Sequence, residues 1–294
     1  MGIVREVAST FGITAPERAD KEFVPNGVSK LFNVRCDANS VLDLFRSGEP
    51  FGKTAVIIHF NGNSFHKSSR IRASTLCSIL SKRDYTVINC EFRNIKRSND
   101  AKDCVEDVSH IFKWISDHAD EYALDLGRVY VTGSSYGALM AFWTALLCNT
   151  ERFGQALGIT GPRFKIKGLG LFTGMTDTES GDRIMRSISK AITRTETSDG
   201  GYRDHNLSNA FRPCRNHDLR TLPPVYQVTG DLDSAMPDVM RMDALLDSNG
   251  VVHETLEFQA SDRLTNGFME DRASSNECAR ALSRMFNFFD SADQ

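Results

Sequence analysis

The 294-residue sequence contains no uninterrupted apolar run of the roughly 20 residues that a membrane-spanning helix needs, so no such helix is expected. Cysteine is sparse and unpatterned. The seven cysteines, at positions 36, 77, 90, 104, 148, 214 and 278, are odd in number and show no C-x-x-C spacing. That excludes a disulfide framework and a thiolate metal knuckle, and the thiols read as reduced, mostly buried groups of a cytoplasmic protein. A surplus of one charge is also missing: 35 Lys and Arg stand against 38 Asp and Glu, a net charge of −3 with no general pull towards nucleic acid. The local basic groups, Lys67 with Arg70 and Arg72, and Arg93 with Lys96 and Arg97, read as solvated faces. The first residues already include Arg5 and Glu6 and lack the apolar core of a secretory signal. There is no internal repeat, no low-complexity tract, and no His, Cys or acidic spacing that implies a metal or another cofactor.

What the chain does have is alternation between short apolar runs and helical stripes. Val28 to Cys36, Ser40 to Phe45, Thr54 to Phe60, Thr86 to Cys90, Val129 to Thr132, Ile166 to Phe172, Val225 to Val228 and Val252 to Phe258 read as strands. Continuous apolar runs such as Thr54 to Phe60 suit a sheet covered on both faces. Between them, Arg70 to Ser81, Asp103 to Tyr122, Ala138 to Cys148 and Asp238 to Ser248 read as helices, and Cys278, Ala281, Leu282, Met285, Phe286 and Phe289 mark a last one. The expected architecture is therefore α/β: a mostly parallel central sheet with helices on both faces. Between Phe172 and Leu222 the alternation stops, leaving one amphipathic stretch around Ile184, Ile188 and Ile192. The organisation expected is an N-terminal segment, 1–27, which completes a cap or stays apart, and one domain over 28–294 with a cap insertion around 173–221. Gly168-Leu169-Gly170 lies inside a strand, where it signals close packing and not a nucleotide loop.

Gly133-Ser134-Ser135-Tyr136-Gly137 is the stretch with the most chemical content. A G-x-S-x-G pentapeptide between a strand and a helix is the pattern of a nucleophile elbow, in which a sharp turn lifts the serine hydroxyl and leaves room only for glycine around it. Ser135 is thus the candidate nucleophile.

From about Val28 to Phe289 the chain resembles the hormone-sensitive-lipase-like branch of the α/β-hydrolases, a group of carboxylesterases. Besides the elbow, three segments carry the likeness. Ile58 to Phe65 (Ile-His-Phe-Asn-Gly-Asn-Ser-Phe) sits where that family has its His-Gly-Gly-Gly oxyanion loop. Glu91-Phe92-Arg93 with Val105-Glu106-Asp107 resembles its Asp-Tyr-Arg and Val-Glu-Asp pair, and Leu222-Pro223-Pro224-Val225 leading into Thr229-Gly230-Asp231-Leu232-Asp233 resembles the acid segment. The resemblance implies an α/β-hydrolase fold, Asp233 as the acid with Asp231 as the neighbouring alternative, and oxyanion amides at Asn63, Ser64 and Tyr136. It implies no cofactor, and a small-molecule ester or acyl ligand as partner.

The sequence departs from the pattern at the base. Where the family presents His-Gly-Phe, this chain reads Asn266-Gly267-Phe268. Asparagine can hydrogen-bond a serine but cannot take its proton at neutral pH. His253 is too far back, about five residues or roughly 17 Å along its strand, and is expected at a surface or edge. His66 and His205 are the candidates for a surrogate base. His59 should point into the core, while His110, His118 and His217 look solvated. Two readings follow: a serine carboxylesterase, impaired by Asn266, for small acyl or aromatic esters; or a protein that kept the pocket and lost the triad, as a binding or receptor protein or a non-hydrolytic enzyme, as plant gibberellin receptors illustrate. The last helix and strand could pair in a homodimer or face solvent.

Overall fold

The structure, a computed structural model, describes residues 27–48, 52–62, 70–93, 99–174, 211, 218–259 and 262–292. The helical patterns expected near Ile3 and Ile184, and Asn63, Ser64, His66, His205 and His217, lie outside the described residues. The strands are β1 (Val28–Arg35), β2 (Val41–Ser47), β3 (Thr54–Phe60), β4 (Tyr85–Glu91), β5 (Leu124–Ser134), β6 (Ile166–Phe172), β7 (Val225–Thr229) and β8 (His253–Glu257). They form a single sheet in the order β1-β2-β4-β3-β5-β6-β7-β8. The β1–β2 and β2–β4 pairs are antiparallel, and every later pair is parallel. The described helices are α1 (Arg70–Ser81), α2 (Ala101–Asp117), α3 (Tyr136–Asn149), α4 (Glu151–Leu157), α5 (Met236–Ser248), α6 (Phe268–Asp271) and α7 (Asn276–Ala292).

Strand side chains alternate between faces, and each face of this sheet has its own core. Val56, Ile58, Val129 and Val131 pack with α2, α3 and α5. Ala55, Ile57 and Tyr130 pack with α1 and α7 on the other side. Helix α3 is buried along nearly its whole surface, from Tyr136 to Cys148, which is why its sequence is apolar throughout instead of striped. Phe211, in the stretch expected to form a cap, lies edge-on to Trp143 of α3 at 4.8 Å and accepts the indole N–H on its carbonyl at 3.0 Å.

The glycines of β6 let α7 approach. A Cβ on Gly168 would stand 2.7 Å from the Phe289 ring and 2.9 Å from that of Tyr130, two rings that themselves stack 5.1 Å apart. Gly168→Ala is expected to destabilise by about 1–3 kcal/mol through overpacking. Urea unfolding checks this as a lower midpoint at unchanged slope.

Several expectations are corrected. Strand β5 begins at Leu124, not Val129, because Leu124 and Asp125 already pair with Thr54 and Ala55 before a register shift, and the polar Asp125 to Arg128 stretch interrupts the apolar run. Helix α2 starts at Ala101, where Asp100 and Asp103 form a capping box, and ends at Asp117. Helices α4 and α6 were not expected at all; seven and four residues are too short for a clear stripe. Nor do Arg70, Arg72 and Arg93 form solvated faces. Arg70, 13% exposed, is held by Asp43 and Glu91, Arg72 by Asp271, and Arg93 by Asp103, Glu106 and Asp107. His118, expected to be solvated, is stacked on Trp114 and bonded to its carbonyl, whereas His110 pairs with Asp37 and keeps its side chain 43% exposed, as expected. His253 does sit on the edge strand, with its ring near Asp243 and the Val251 carbonyl.

Candidate active site

The pentapeptide Gly133–Gly137 forms the junction of β5 and α3. Ser135 sits at the turn with φ +51° and ψ −117°, a left-handed conformation that costs a non-glycine residue about 1–3 kcal/mol and persists only where the surroundings impose it. Those surroundings are backbone. A Cβ on Gly133 would lie 2.1 Å from the Gly137 oxygen, and one on Gly137 would lie 2.1 Å from the Phe60 oxygen. The N-terminus of α3 is thereby pressed against the end of β3, beside Asn61 and Gly62. The Ser135 amide is tied to the Phe172 carbonyl at the end of β6 at 2.9 Å.

Thr173, the next residue, carries the link onward. It also has a positive φ, +47°. Its carbonyl accepts from the Asn266 amide at 3.0 Å and its hydroxyl accepts from the Gly267 N–H at 3.0 Å. The same Asn266 Nδ2 donates to Asp233 Oδ1 at 3.0 Å. Asp233 further accepts from the Ala235 N–H at 2.9 Å and from the Thr229 hydroxyl at 2.8 Å. Burial pushes the Asp233 carboxyl above the usual carboxylate range, a shift that these three donors oppose without cancelling. Asp231, the alternative acid, faces elsewhere: its oxygens accept the Arg263 and Leu264 amides and hold the loop that leads to Asn266. The structure therefore brings Asp233 and Asn266 into direct contact and connects both to the Ser135 turn through residues 172–173.

Of the residues expected to supply oxyanion amides, Tyr136 is the one among the described residues. Tyr136 is the first residue of α3 and is 2% exposed. Asn61 is buried and donates its amide to the Cys90 carbonyl at 3.0 Å. Gly62 ends the described part of this loop, and its N–H donates to Glu270 Oε1 at 2.7 Å. His59 does point into the core, between the Thr132 hydroxyl at 2.9 Å and Glu270 Oε1 at 3.2 Å.

Thr173, Thr229 and Glu270 were missed from the sequence. Thr229 ends β7 and Thr173 directly follows β6, positions whose chemical use no motif marks; Glu270 follows Asn266 by four residues, the sole signal that could have drawn notice. Elsewhere the motifs that carried the resemblance do meet: Arg93 donates from its backbone N–H to Asp107 Oδ2 at 2.8 Å and from Nε to both carboxylate oxygens at 3.0 Å. Among the described residues, Asp37, Asp107 and His110 bring ligand-type atoms within 4.8 Å of one another, but Arg93 engages both oxygens of Asp107 and supplies the positive charge there.

Comparison with known proteins gives a consistent picture. The BD-FAE family model matches residues 42–239. A "probable isoprenylcysteine alpha-carbonyl methylesterase" of Arabidopsis thaliana is 25% identical over 202 residues, covering 67% of this chain and 42% of that protein. The chain thus spans less than half the length of this plant relative. Among solved structures, an inhibited esterase B of Lactobacillus rhamnosis superposes with a TM-score of 0.84 at 18% identity, covering 100% of this chain and 97% of that one. EstE1, a thermostable carboxylesterase cloned from a metagenomic library, gives a TM-score of 0.69 at 18% identity over 100% and 97% of the two chains. A bacterial heroin esterase gives 0.69 at 19% identity over 98% and 90%. These likenesses establish the α/β-hydrolase fold, and with the family model matching residues 42–239, the chain belongs to the BD-FAE family, a carboxylesterase-like family of α/β-hydrolases.

Proposed function

We propose that the protein is a serine-type carboxylic ester hydrolase for small acyl or aromatic esters, slowed by the amide at position 266. The observation that supports it most is the 3.0 Å bond from Asn266 Nδ2 to Asp233 Oδ1, the place where a triad carboxylate receives the N–H of its histidine. In this reading the Ser135 oxygen bonds to the ester carbonyl carbon, while the amides of Asn63, Ser64 and Tyr136 receive the negative oxygen. Collapse breaks the bond to the alcohol, which leaves with a proton, and water then releases the acid from Ser135. Asn266 can hold Asp233 and donate a hydrogen bond, but its amide nitrogen has no basic lone pair for the serine proton. Proton removal then falls to solvent or to His66 or His205.

The neighbours guide the choice of probe. Esterase B has been captured with a tributyrin phosphonate and a Thermogutta terrifontis esterase with propionate. Nitrophenyl butyrate is therefore the first substrate to use. The native chain is expected to hydrolyse it slowly, and Ser135→Ala to bring the rate to the buffer background. A slow rate that survives Ser135→Ala contradicts the proposal. The amide at position 266 also favours a second reading, a protein that binds an ester or acyl ligand without turnover. That reading predicts saturable butyrate-ester binding, with hydrolysis absent in the native chain and in Asn266→His alike.

A further inference from the structure

Glu270 is a buried carboxylate that the reaction scheme does not use. Its side chain is 0% exposed, as is that of His59 beside it. A carboxylate so placed needs partners, because burying an uncompensated charge is strongly unfavourable. Its partners come from three parts of the chain. Oε1 accepts the Gly62 N–H at 2.7 Å and faces His59 Nε2 at 3.2 Å. Oε2 lies 3.5 Å from Arg72 Nε, while Arg72 makes its short contacts, 2.7 and 2.6 Å, with Asp271.

One of these contacts and the helix that carries Glu270 both reach the site. Gly62 immediately precedes Asn63 and Ser64, the proposed oxyanion donors. Since its N–H is aimed at Glu270, that amide is committed to holding the loop and not to the substrate. On the other side, Glu270 belongs to α6, which begins directly after Asn266 and Gly267 and whose entry is pinned by the bond from Gly267 N–H to Thr173 Oγ1 at 3.0 Å. One carboxylate thus spans the base loop and the start of the oxyanion loop, which are 208 residues apart.

We propose that Glu270 is a positioning residue that fixes Gly62, the residue before the proposed oxyanion donors, relative to residue 266. The inference rests on the ester hydrolase reading above. Oxyanion donors act only within a narrow range of distance and direction, and a shift of about 1 Å costs on the order of 10²-fold in rate.

The test uses Asn266→His, where turnover is fast enough to resolve kcat from KM. Adding Glu270→Ala is expected to lower kcat for nitrophenyl butyrate about 10- to 100-fold with KM changed less than about threefold, since loss of an oxyanion donor itself costs about 10²–10³-fold. Adding Glu270→Gln, which keeps an oxygen to accept the Gly62 N–H, should recover most of that loss. Circular dichroism and thermal melts establish that each variant is folded. If Glu270→Ala does not fold, the Gln variant decides alone: kcat reduced more than about tenfold at unchanged melting temperature overturns the proposal. Also overturning it are a folded Glu270→Ala that keeps its kcat, and a Glu270→Gln no better than Ala. A control with Ser135→Ala in the same background separates the two claims. Turnover indifferent to Ser135, or an inert Asn266→His, removes the hydrolase reading and this inference with it; turnover that needs Ser135 but ignores Glu270 removes the inference alone.

Discussion

Asn266→His is expected to raise the turnover of nitrophenyl butyrate by about 10³-fold over the native chain, equivalent to about 4 kcal/mol of barrier. The expectation follows from the proposed role of position 266. Residue 266 already lies against Asp233, whose Oδ1 receives its amide at 3.0 Å, so an imidazole there starts with its orienting carboxylate in place. In a tuned serine protease the histidine contributes about 10⁶-fold. A smaller gain is expected here, because imidazole must also displace the bond that Asn266 makes to the Thr173 carbonyl. The pH profile provides a second signature. The variant should gain an ascending limb near the imidazole value of about 6.5, which the native chain lacks. Adding Asp233→Asn should abolish the gain, since a carboxamide in place of the triad acid lowers turnover by about 10⁴-fold through the wrong tautomer.

Gly137→Ala should be among the most damaging single methyl additions in the described residues. Its Cβ would stand 2.1 Å from the Phe60 oxygen and 2.7 Å from the Asn61 oxygen. Both atoms belong to the backbone at the end of a central strand, so no side chain can swing away. The loss should exceed about 4 kcal/mol, beyond the range of ordinary substitutions, and show as a collapsed urea midpoint or as failure to accumulate folded protein. Gly158→Ala is the matched control. That glycine has a positive φ, +67°, and open space around it, so its loss is limited to a backbone strain of about 1–2 kcal/mol, with no steric term. Equal losses in the two variants would show that the close approach of α3 to β3 is not what fixes the elbow.

How far the sequence could reach depended on the kind of signal each residue carries. The elbow was legible because Gly133 and Gly137 are required by local geometry, and that requirement repeats wherever a strand turns this sharply into a helix. Asp233 and Asn266 could each be picked out by their places in a familiar order, but the bond between them was not itself predicted. Partners distant in sequence were not legible. Arg70 and Arg72 looked like a solvated face, yet their partners include Asp43 and Asp271, and a charge does not announce a partner 199 residues away. Glu270 stayed hidden for the same reason. It reads as one acid beside Asp271 in a short segment, and only the assembled fold brings it to His59 and Gly62. The short helices α4 and α6 carry less than two turns of pattern each, too little to separate from a loop.

The central claim is that Ser135 is a correctly presented nucleophile limited by residue 266. Labelling by a fluorophosphonate tests this most directly, because phosphonylation needs the activated serine and oxyanion site but no turnover. Second-order labelling rates should be compared for the native chain and Asn266→His, with the modified peptide located by mass spectrometry. The account predicts a single adduct on Ser135 in both, formed at least about 10²-fold faster in Asn266→His, as expected for an added general base. An adduct on another residue, or equal rates in the two chains with the fold intact, would contradict it.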